Sequence, residues 1–128
     1  MSAPYSNSAP ESFASYIDIL VVGKKVEDAI HASTGQAAYS YLTEASDWLQ
    51  HAIDYFKTGA KTGGIFSSMY LYLAGETMKA KSELLILAKR VQPLDGKMLL
   101  MFQQQTLYSF QGVLSPIAGK LLGNLIIQ

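Results

Sequence analysis

The chain has 128 residues, 49% of them hydrophobic, with ten basic and ten acidic side chains, no formal net charge and no cysteine. A chain of this size suits one domain that buries about two-thirds of its unfolded surface, so a core is attainable without disulfides. The composition excludes a disulfide scaffold, a thiolate metal site and a cysteine nucleophile. It also disfavours nucleic-acid binding, which relies on surplus lysine and arginine to displace counterions from phosphate; Arg90 is the single arginine.

Residues 1–10, MSAPYSNSAP, are small, polar and proline-containing, which reads as an irregular N-terminal arm. No basic segment precedes the first apolar stretch, so no secretory signal is expected, and the chain is assigned to the cytoplasm or to an assembled particle. Ser8 and Glu11 have capping-box spacing, and a first helix is expected over residues 10–32. Its apolar positions, Phe13, Tyr16, Ile17, Ile19, Leu20, Val21 and Val22, surround the helix before narrowing to Val26, Ala29 and Ile30. Such breadth predicts burial on more than one side. The run Ile17–Val22 is too short to span a bilayer and is closed by Lys24 and Lys25, so no transmembrane segment is expected.

Ser33, Thr34 and Gly35 form the next break, with Ser33 and Gln36 again at capping-box spacing. The second helix has the strongest pattern. Ala38, Tyr41, Leu42, Ala45, Trp48, Leu49, Ala52, Ile53 and Phe56 recur at spacings of three and four, opposite Glu44, Asp47, Asp54, Lys57 and Lys61. Gly59, Gly63 and Gly64 then read as helix stops. A third helix is predicted over residues 65–91, with its stripe at Phe66, Tyr70, Leu73, Thr77, Ala80, Leu84, Leu87 and Val91.

Pro93 ends it, and Asp95 is a good N-cap for a fourth helix over residues 96–111, with Leu99, Leu100, Phe102, Leu107 and Phe110 inward. Ser115 and Pro116 read as N-cap and first turn of a short fifth helix, residues 116–126, with Ile117, Leu121, Leu122 and Leu125 on one side. The expectation is an all-α fold: a four- to five-helix bundle with short loops, residues 11–128 forming a single domain.

Candidate chemistry is sparse. Asp28 and His31, His51 and Asp54, and Asp47 and His51 share helix faces, yet the Glu-x-x-His motifs of bundle di-metal sites are missing, so both histidines read as boundary residues and neither metal nor cofactor is expected. The serines lie in caps and turns without a nucleophile elbow, and the glycines match no phosphate-binding loop, so the chain reads as non-enzymatic.

Eight tyrosines are more informative. Tyr39, Tyr41, Tyr55, Tyr70 and Tyr72 occupy both faces of helices two and three, and tyrosine suits interfaces because its ring buries area while its hydroxyl finds a polar partner. The off-stripe residues Leu71, Met78, Leu85 and Ile86 exceed what one core needs. Gly119 and Gly123 form a G-x-x-x-G spacing that permits close approach of another helix. The candidate interface is therefore Tyr39, Tyr55, Leu71, Tyr72, Met78, Leu85, Ile86, Gly119 and Gly123.

The stretches AIDYFKTGAK and MKAKSELLILAKRV carry Ala, Tyr and Phe at helical spacing, and residues 13–91 resemble the MIT-type three-helix modules that bind partner helices in membrane trafficking. That resemblance implies a monomeric adaptor receiving an amphipathic helix between helices two and three. The bundle architecture is equally similar to helical coat subunits of filamentous viruses. The expected function is a self-associating structural subunit, a homo-oligomer or a filament- or coat-type assembly, whose arm and C-terminal helix contact neighbours. The alternatives are the adaptor and a protein lying peripherally on a membrane surface through its apolar C-terminus.

Overall fold

A computed structural model describes residues 8–62 and 64–127. Four helices carry the fold: α1 (Ser8–Ile30), α2 (Gly35–Lys61), α3 (Ser67–Val91) and α4 (residues 96–127). No strand is present among the described residues. Helix α4 is composite, running as Gly96–Met101, then π-helical turns over Phe102–Leu107, then Tyr108–Ile127. This is the expected all-α bundle, with four helices.

Short connections make successive helices antiparallel, and cross-helix contacts trace each seam. Along α1–α2, Lys25 pairs with Glu44 at 2.8 Å. Along α2–α3, the Gln92 amide donates to Gln36 at 3.0 Å and the Lys81 ammonium to Gln50 at 2.7 Å. Along α3–α4, Arg90 lies over the Phe102 ring at 5.1 Å, and the Asn124 amide donates to the buried Tyr70 hydroxyl at 3.3 Å. Helix α4 returns along α1 to close the ring.

One apolar core runs through all four helices. Its layers combine Ile19, Val22 and Val26 of α1, Leu42, Leu49 and Phe56 of α2, Tyr70, Leu73 and Leu84 of α3, and Leu107, Phe110 and Leu121 of α4. The stripes expected in α2 and α3 are largely inside. Helix α1 is covered on two sides, by α2 and α4. Phe13, Ile17 and Leu20 nevertheless stay exposed, because a helix held at the corner of a four-membered ring still presents one side to solvent.

Several expectations are corrected. The first helix begins at Ser8, so residues 8–10 are helix and not arm. Residues 1–7 and the Ser8 and Glu11 side chains of the expected capping box lie outside what is described. The N-cap of α2 is Thr34, not Ser33: its hydroxyl accepts from the Ala37 N–H at 3.0 Å. Asp95 holds the N-cap position of α4 without a side-chain capping bond. Gly59 does not stop α2. It is buried inside the helix where the Tyr70 ring presses against it, and an ideal Cβ there would lie 2.7 Å from the ring. Gly64, with φ +86°, makes the left-handed turn.

The largest correction is α4. Ser115 and Pro116 open no new helix, and Pro116 lies inside a continuous one. The hydrogen bond it removes would have ended on the Gly112 carbonyl. Gly112 and Pro116 are both exposed, so water can serve that carbonyl while Phe110, Leu114, Ile117 and Leu121 keep one inward stripe across the proline. Leu100 and Leu122, expected inside, are exposed. The π-helical turns settle the upstream register. Phe102 and Leu107 are five residues apart, about 140° around an α-helix, yet both are buried because i→i+5 bonding brings them to one side.

Candidate functional site

Two kinds of surface stand out once the core is assigned. The first is the outer side of α3. Leu71, Met78 and Leu85 follow one another at seven-residue spacing and are all exposed, Leu71 at 67%. Ser68, Gly75 and Ser82 alternate with them, three or four residues away on the same strip, and are exposed too. The strip thus repeats small and large residues in the 3-4 rhythm of a helix-packing seam. Tyr72 and Ile86 flank it, both exposed. Tyr72 is covered on one side by the Lys120 ammonium of α4, 5.3 Å from its ring.

Helix α4 continues the theme. Tyr108, Gly112, Ser115, Gly119, Leu122 and Ile126 recur at spacings of four and three, and all are exposed, Tyr108 at 64%. Residues 96–127 contain Lys97 and Lys120 and no acid. No helix among the described residues is long and apolar enough to cross a membrane.

The candidate interface residues therefore divide. Leu71, Tyr72, Met78, Leu85 and Ile86 share the outer side of α3, and Gly119 lies on the outer strip of α4. Gly123 is half-buried at the edge of that strip. Tyr39 is partly buried and packs against the core. Tyr55 is exposed but belongs to a different place, the cleft between α1 and α2. The continuing 3-4 spacing through residues 108–126 was the signal that could have found Tyr108, Leu122 and Ile126; dividing the segment into two helices concealed it.

The second surface is that α1–α2 cleft, about 440 Å³, lined by Asp18, Trp48, His51, Asp54, Tyr55 and Thr58. Trp48 is half-buried and meets the His51 ring edge-on, centroids 5.4 Å apart. Asp54 Oδ1 accepts from the Gln50 amide at 2.9 Å, and Gln50 Oε1 in turn accepts from Lys81. Asp18 is the unexpected member. It is 6% exposed, and its Oδ2 is buried without a hydrogen-bond partner. Burial pushes its carboxyl above the ordinary value of 3.8, against a smaller opposing pull from His51. The signal for Asp18 was its place beside Ser15, Ile19 and Val22 on the inward side of α1, masked by apolar residues all round that helix. No group of three His, Asp or Glu side chains is arranged to hold a metal ion among the described residues.

The linkage has a definite sign. With a folded-state value raised above the unfolded one, the contribution of Asp18 is most favourable below about pH 3.8 and is lost as pH rises through the folded value. Asp18→Asn is accordingly expected to stabilise the protein by about 1 kcal/mol at pH 7. The gain should vanish near pH 3.5, as read by urea unfolding at the two pH values; a variant destabilised at pH 7 would contradict this account of Asp18.

No family model matches the sequence, and no curated protein and no solved structure is significantly similar to it.

Proposed function

We propose that this chain is a non-enzymatic structural subunit that assembles with other copies of itself through the outer sides of α3 and α4, as an oligomer or a filament- or coat-type array. The observation that carries the reading is the Leu71–Met78–Leu85 strip, which remains in solvent after a complete core has been built. The strip is self-complementary. Laid antiparallel on a second copy, Leu71, Met78 and Leu85 of one helix meet Ser82, Gly75 and Ser68 of the other, large residue against small throughout. Zero formal net charge raises no electrostatic barrier to such pairing.

The adaptor reading is less well supported, because its groove is filled. Between α2 and α3 the Tyr70 ring packs on Gly59, and Gln36–Gln92 and Gln50–Lys81 hydrogen bonds staple the seam. In-plane membrane binding is also less well supported, since α4 offers only Lys97 and Lys120 to anionic headgroups.

Light scattering of the purified chain over a range of concentrations tests the proposal. Mass should rise with concentration, and Met78→Glu should reverse it. Burying one such side chain is worth about 1.5–3 kcal/mol, and a two-fold interface counts each substitution twice, so association should weaken about a hundredfold or more. A strict monomer at every concentration overturns the reading.

A further inference from the structure

We infer that the cleft between α1 and α2 is a binding site for an aliphatic ammonium group, with the Asp18 carboxylate as its anionic floor and Trp48 as its wall. The cleft volume, about 440 Å³, lies within the range of small-ligand sites. Its floor is a carboxylate 6% exposed, whose Oδ2 has neither hydrogen bond nor contact with water. Beside it on the inward side of α1, Ile19, Val22, Val26 and Ala29 follow the ordinary rule and pack in the core, and Ser15 is the other buried polar residue. A buried acid without a partner breaks that rule at one place, and the place is a cleft.

The chemistry of the lining selects the ligand. Asp18 and Asp54 supply negative charge from two helices, and Asp54 is held in orientation by Gln50. Trp48 and Tyr55 offer aromatic surface, which attracts cations and covers an alkyl stem. An ammonium matches this set better than a guanidinium. Because Oδ2 is closed to solvent, at most the other oxygen of Asp18 is open to the cleft, which suits one donor of a compact cation and leaves its remaining donors for the polar rim of Asp54, Tyr55 and Thr58. A guanidinium fork instead favours both oxygens of one carboxylate. A coordinated metal ion is disfavoured because Asp18, His51 and Asp54 do not converge at ligand distances. The ammonium could belong to a free alkylamine or to a lysine side chain of another protein; both present the same group to Asp18.

The test uses Trp48, the only tryptophan, whose emission reports this cleft directly. The full chain is titrated with n-butylammonium, with N-acetyl-lysine N-methylamide and with n-butanol, at constant ionic strength. Saturable change with an ammonium and none with n-butanol is expected, weakened about tenfold or more in Asp18→Asn, the scale of one charge-assisted hydrogen bond. Tighter binding of n-butylammonium identifies a free amine as the natural form of the ligand, and tighter binding of the lysine amide a protein side chain; either supports the site. No saturable response to either ammonium, an equal response to n-butanol, or binding unchanged in folded Asp18→Asn overturns it.

Discussion

Replacing Gly35 by alanine is expected to destabilise the bundle by about 3 kcal/mol, although alanine is the better helix former by about 1 kcal/mol. Gly35 opens α2 where that helix meets the end of α3. An ideal Cβ at this position would lie 2.4 Å from the carbonyl oxygens of Val91 and Leu94 and 2.7 Å from that of Gln92. All three are backbone atoms, so relief requires moving chain and not rotating a side chain. That chain is tied: the Gln92 N–H bonds the Ala88 carbonyl at 3.2 Å, the Leu94 N–H bonds that of Val91 at 3.0 Å, and the Gln92 side chain is bonded to Gln36. Close approach here also sets the positive end of α2 against the carbonyl-rich end of α3, which is favourable.

The control is Gly23→Ala, inside α1 with nothing within 4 Å of its Cβ. It should stabilise by up to about 1 kcal/mol through helix propensity. Urea unfolding of both variants reads the two signs together. If Gly35→Ala also stabilised, the tight α2–α3 junction would be refuted.

Helices α2 and α3 were legible because each exposes one side and buries one, so spacing alone assigns Leu42, Leu49 and Phe56, or Leu73, Leu84 and Leu87, to the interior. Gly59 was misread for a physical reason. A glycine late in a helical pattern looks the same whether it ends the helix or admits a neighbouring ring, and only the position of Tyr70 distinguishes the two. In α4 the local start signal of Ser115–Pro116 was overridden by the inward stripe running through it. The π-helical turns have no sequence signature that periodicity detects, since periodicity assumes a constant residue count per turn. The outer residues of α3 were legible as apolar positions in excess of one core. Asp18 was not, because α1 is apolar on too many sides for spacing to say which residue faces in.

Gln103 yields the second large effect. It sits in the π-helical turns, 3% exposed, and its amide donates to the carbonyls of Ala29 at 3.0 Å and Ala32 at 2.8 Å. One side chain of α4 thereby serves the end of α1, where helical carbonyls lose their own donors. Gln103→Leu keeps the size and removes both donors, leaving the Ala29 carbonyl with only the 3.3 Å bond from the Ala32 N–H and the Ala32 carbonyl without its amide partner, and is expected to cost about 2–3 kcal/mol. Gln103→Glu should cost more at pH 7, about 4 kcal/mol, because a carboxylate only accepts and would confront two further acceptors in a buried place. The two variants separate on acidification. The introduced carboxyl would have a folded-state value raised above the unfolded one, so its stability is greatest at low pH and is lost as pH rises through the folded value. Below about pH 4 it is protonated, can donate again, and Gln103→Glu should recover while Gln103→Leu stays destabilised. Unfolding free energies of both across that range decide the matter: parallel pH profiles would mean that the amide does not hold α1 to α4 through those two carbonyls.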